Sequence, residues 1–119
     1  MAEPARQWDG AAVRTWLDSR IAAARAEQVT AERQGHARRD DCDQAAAEEM
    51  VCLAVRSERA TETQAAFVAA LKALIERDDH VWRGVYDDRR FDRHVRSYLR
   101  KLAGMAKAND GFENVRRYQ

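Results

Sequence analysis

From His36 to Arg83 the chain runs for forty-eight residues without a glycine or a proline. The whole sequence holds one proline, Pro4, and five glycines: Gly10, Gly35, Gly84, Gly104 and Gly111. A sheet protein of this length needs several tight turns, and tight turns need residues that reach positive φ or fix it. The uninterrupted stretch is instead rich in Ala, Glu, Arg and Leu, all good helix formers. The chain is therefore expected to be all-α: a small bundle of about four main helices, with antiparallel neighbours and alanine-rich packing.

At 119 residues the chain reads as a single helical domain over 1–119. Residues 1–8 are expected to be an N-terminal tail and residues 112–119 a C-terminal tail that docks or stays loose. The core is thin for this length. Twenty-three of the hydrophobic residues are alanine, which leaves six leucines, two isoleucines and nine valines as large aliphatics. Burying alanine removes little apolar surface, and each Å² contributes only about 25 cal/mol. Two remedies exist: close helix approach through alanine faces, or a homodimer in which a second copy covers exposed apolar surface.

The helix ends are marked. Asp9 is an N-cap, its carboxylate placed to accept from free backbone N–H groups. Trp8 before it and Val13 after it have the spacing of a hydrophobic staple. Val13, Trp16, Leu17, Ile21 and Ala24 then form a stripe at helical spacing. The stripe fades over 27–39, which reads as a solvated arm or as a helix ending at Gly35. A second helix starts near Asp40, with Asp40, Asp41 and Asp43 complementing the helix dipole. Its apolar residues, from Cys42 to Val55, cover much of the circumference and mark it as the most buried helix. A third begins at Thr61, with Thr61 and Gln64 at capping-box spacing, and carries Phe67, Val68, Leu71, Leu74 and Ile75. Val81, Trp82, Val85 and Tyr86 read as a helical turn that plugs one end. A fourth helix, capped by Asp87 or Asp88, carries Phe91, Val95, Tyr98, Leu99, Leu102 and Met105, and Asn109-Asp110-Gly111 is a turn.

Charge is balanced overall at +1 but not along the chain. Residues 40–79 sum to −6 and residues 80–119 to +5. On the fourth helix Arg89, Arg93, Arg96, Arg100 and Lys107 share one side, opposite the apolar stripe. Like charges one turn apart disfavour a helix slightly unless an anion compensates. That anion is an acidic helix of the same chain, an acidic protein surface, or a phosphate backbone. Arginine outnumbers lysine eighteen to three, which with so much alanine points to GC-rich coding. A solvated basic face is then the plainest reading. Five acids between Asp40 and Glu49 raise the reverse idea, a carboxylate row imitating phosphates.

Catalytic and metal chemistry find little support. His36, Asp40 and Asp43 share a helical face if Gly35 does not break it, but aspartate at a helix start has its dipole role already. Glu76 and His80 lie one turn apart without the repeat that di-iron bundles carry. No serine or cysteine sits in a recognisable nucleophile turn. Cys42 and Cys52 stand about 15 Å apart on one helix, too far to bond, and read as reduced and buried. With no apolar h-region and no long apolar run, membrane spanning and secretion are not expected, and the location is taken as cytoplasmic.

The expectation is thus a non-enzymatic, cofactor-free and metal-free regulator, adaptor or inhibitor of another protein with an acidic surface, of a size suited to a bacteriophage or mobile element. The interface residues are Trp82, Arg83, Tyr86, Arg89, Arg93, Arg96, Arg100, Lys107, Arg116, Arg117 and Tyr118, since aromatics and arginine anchor interfaces. The alternative is nucleic-acid binding through the same arginines on phosphates, although no helix-turn-helix is visible and the net charge is near neutral.

Overall fold

The structure, a computed structural model, describes residues 7–35, 39–77 and 89–113. They form α1 (Gly10–Arg33), α2 (Arg39–Val55), a one-turn α3 (Glu58–Thr61), α4 (Gln64–Glu76) and α5 (Arg89–Ala108). There is no strand among them.

Asp9 caps α1 as its spacing predicts, accepting from the Ala12 N–H at 3.1 Å. The polar stretch after Ile21 stays helical to Arg33, and Gly35 follows at φ +72°. A left-handed residue after a helix end suits glycine, which has no Cβ to clash. The second turn expected from sequence, Asn109-Asp110-Gly111, ends α5 with Asn109 at φ 48° and Gly111 at φ 97°.

The start of the third main helix differs from the expectation. Ser57 caps α3, accepting from Ala60, and Thr63 caps α4, accepting from Ala66. Thr61 caps neither. It is fully buried, and its hydroxyl donates back to the Ser57 carbonyl at 2.8 Å. The joint between α2 and α4 is therefore two caps in succession, which turns the chain without a glycine.

Thr61 also anchors the opening of α1. The Trp8 indole N–H donates to its carbonyl at 2.8 Å, and Arg14 donates to its hydroxyl at 2.9 Å. Gly10 makes this approach feasible, because a Cβ there would collide with the Thr61 carbonyl oxygen.

α1 and α2 are antiparallel, since Asp18 pairs with Arg56 at one end and Arg25 with Glu49 further along. α4 and α5 are antiparallel as well: Gln64, at the start of α4, donates to the Ala106 carbonyl near the end of α5. α2 packs against both α1 and α5, and runs in the same direction as α5, with Asp40 beside His94 and Cys52 beside Tyr98. Its burial is less complete than its apolar circumference suggests. Val51, Cys52 and Val55 are inside, whereas Leu53 is 43% exposed and Cys42 only half-buried.

The thin aliphatic core is compensated in two ways. Ala24, Ala31, Ala45, Ala47 and Ala106 are buried and let the helices approach closely. At one end Trp8, Trp16, Phe67 and Phe112 form a ring cluster, with centroids 5.3–5.8 Å apart and mostly edge-on. Edge-to-face pairs of this kind add about 0.5–1.5 kcal/mol each beyond their area. Trp8 and Phe112, assigned to tails by sequence, are thus packed parts of the fold. No helix among the described residues is long and apolar enough to cross a membrane.

Candidate functional site

α5 sorts its side chains sharply. Phe91, Val95, Leu99, Leu102 and Ala106 are buried, while Arg93, Arg96, Arg100 and Lys107 are exposed on the opposite side. At about 100° per residue these four cations fall within an arc of about 60°. Arg96 donates to Asp92 one turn back, at 2.9 Å. Arg93, Arg100 and Lys107 have no ion pair among the described residues. Arg89 opens the same helix, and its side chain lies outside the described ones. Trp82, Arg83, Tyr86, Arg116, Arg117 and Tyr118 also lie outside the described residues, as does the expected plug over 81–86.

The acids of α2 do not compensate this face. Glu49 accepts from Arg25 at 2.7 Å and from Gln28 at 2.9 Å. Burial raises its pKa, but these bonds and the Arg25 charge outweigh it and leave the carboxylate below its ordinary value. Asp40 meets His94 at 3.0 Å, on the flank of α5 rather than on its arginine side. The acids between Asp40 and Glu49 therefore do not form one exposed row. The two glutamates point to α1, which separates this arrangement from a phosphate mimic.

Between α1, α2 and α5 lies a polar cleft of about 330 Å³, lined by Arg20, Glu48, His94, Tyr98 and Lys101 among others. Glu48 is its centre and is buried. Arg20 donates to its Oε1 at 2.5 Å, and the Tyr98 hydroxyl donates to the same oxygen at 3.3 Å. Cys52 Sγ lies 3.5 Å from the Tyr98 oxygen. Burial pushes the Cys52 thiol up to about 12, and burial with the nearby Cys52 and Glu48 pushes the Tyr98 phenol above its ordinary value. Both groups stay protonated at neutral pH. A thiol so held is a poor nucleophile, so the network serves to fix α2 against α1 and α5. Cys42, outside the cleft, is also raised, first by burial and then by Glu32 and Asp43.

Sequence reasoning counted Glu48 in the acidic row and missed its burial, yet a signal was present. Glu48 stands three residues after Ala45, three before Val51 and four before Cys52, so it shares their buried face. A carboxylate on that face requires a partner.

Comparison with protein-family models, curated proteins and solved structures found no match for this chain. What α5 presents is therefore read from its chemistry: an outward row of guanidinium and ammonium donors, which takes carboxylates or phosphates.

Proposed function

We propose that the protein acts without catalysis, as a regulator, adaptor or inhibitor that docks an acidic surface of another protein on the basic face of α5. The reading rests on a contrast within the molecule. Arg20, Arg25 and Arg56 pair with carboxylates at the α1–α2 seam. Arg93, Arg100 and Lys107, equally able to pair, are exposed without a carboxylate partner among the described residues. Exposed guanidinium and ammonium groups on one face of a helix form a positive surface that is complementary to a carboxylate-bearing one. Binding would act by charge complementarity and by steric cover of the partner.

The same donors suit phosphates, which is the second reading. A net charge of +1 supports it less, since nucleic-acid-binding domains carry a basic excess. Affinity capture from native extract, with and without nuclease, separates the two. A protein complex that survives nuclease is expected. Recovery that vanishes on nuclease treatment would move the function to nucleic acid, and no recovery under either condition would count against both readings.

A further inference from the structure

Gly104 lies on α5 between Arg100 and Lys107, on the exposed side. Glycine inside a helix is unfavourable relative to alanine, and a buried contact usually explains it. Here none does. A Cβ added at Gly104 would meet nothing within 4 Å among the described residues, and its φ is not in the left-handed region. Contrast Gly10, where a Cβ collides with backbone. No described part of the fold uses the missing side chain at residue 104.

The cations flanking this notch are spaced regularly. Arg93, Arg100 and Lys107 are seven residues apart, which is two helical turns or about 10.5 Å along the axis. A second helix carrying carboxylates every seventh residue has the same repeat. Packed helices have axes about 8–10 Å apart, with the closest approach where the residues at the crossing are small. Gly104, with Ala103 and Ala108 beside it, supplies such a crossing point.

We infer that the basic face of α5 receives an acidic α-helix of a partner protein, which crosses at Gly104 and sets carboxylates seven residues apart against Arg93, Arg100 and Lys107. The inference rests on the proposed protein-binding role and specifies the shape of the partner. A second copy of the chain does not fit. Asp41 and Glu48 are the one pair of acids seven apart among the described residues, and Glu48 is buried on Arg20.

The probe is a capped, alanine-rich peptide helix of roughly twenty residues with glutamate at every seventh position. The control has the same composition with the glutamates moved out of that repeat. Binding is read by fluorescence anisotropy at low ionic strength, where exposed ion pairs are least screened. The repeat peptide should bind about tenfold more tightly than the control, as expected for a few exposed ion pairs acting together. Gly104→Leu should drop the repeat peptide to the level of the control, with the circular dichroism of the folded protein unchanged. Equal binding of the two peptides overturns the inference, even if Arg93→Glu with Arg100→Glu abolishes both and so leaves the basic face standing. Gly104→Leu binding as the parent does overturns it as well, and so does a single-stranded oligonucleotide binding more tightly than the repeat peptide.

Discussion

The same substitution, glycine to alanine, should have opposite effects at two helices of this protein. At Gly10 the added Cβ meets the Thr61 carbonyl oxygen well inside contact distance and lies 3.2 Å from the carbonyl carbon. Both atoms are backbone, so relief requires α1 and α3 to separate. Separation strains the Trp8 indole bond to the Thr61 carbonyl, at 2.8 Å, and the Arg14 bond to the Thr61 hydroxyl, at 2.9 Å. The first contributes about 1 kcal/mol and the second, from a charged donor, about 1.5–3 kcal/mol. Alanine's better helix propensity returns at most about 1 kcal/mol. Gly10→Ala should therefore lose about 2 kcal/mol, and its thermal midpoint should fall by about 8 °C. At Gly104 no described residue opposes the new methyl, and Gly104→Ala should gain up to about 1 kcal/mol. Urea denaturation followed at 222 nm measures both against the parent. A Gly10→Ala protein as stable as the parent would refute the close approach of α1 to Thr61. Destabilised Gly104→Ala would show that the outer face of α5 is occupied by the protein's own chain.

Three further outcomes follow from the packing. In the native protein at pH 8 a thiol reagent should titrate Cys42 well before Cys52, which is buried beneath Tyr98 and should react only on unfolding; equal rates would contradict the buried network. Burial raises the Cys52 thiol from its ordinary 9.0 to about 12, so its contribution to stability is complete below pH 9 and is lost as pH rises toward 12. Stability should fall there by on the order of 1 kcal/mol per pH unit, less steeply in Cys52→Ala, and a pH-independent denaturation midpoint over that range would be inconsistent. Removing the α4 cap with Thr63→Ala should reduce stability by about 1 kcal/mol, and an unchanged unfolding midpoint would argue against that cap.

Local chemistry made much of this fold legible from sequence. Asp9, Gly35 and the Asn109-Asp110-Gly111 turn act through their own backbone neighbourhoods, so their roles could be read without knowing what packs where. The stripe of α5 was equally plain because its burial follows a single period. Thr61 misled because its spacing to Gln64 satisfies a capping box, while its hydroxyl is taken by Ser57 and Arg14. That competition is tertiary, as Arg14 lies forty-seven residues away in sequence. Phe112 and Trp8 were placed in tails because both lie outside the helical stripes, and only the ring cluster with Trp16 and Phe67 puts them inside. On the basic face, periodicity placed Arg93, Arg96, Arg100 and Lys107 together correctly, but pairing could not be read from it. Which arginines face a carboxylate depends on how the helices align: Arg96 finds Asp92 on its own helix, whereas Arg93, Arg100 and Lys107 find none among the described residues.

The central claim is that this row binds a protein partner. Its most direct test is nuclease-treated capture from native extract with the parent and with the double variant Arg93→Glu, Arg100→Glu, matched for helicity by circular dichroism. Both positions are exposed on α5, so the variant should fold. A partner held by the parent and lost by the variant is the predicted result. The same partner recovered in equal yield by both would contradict the account.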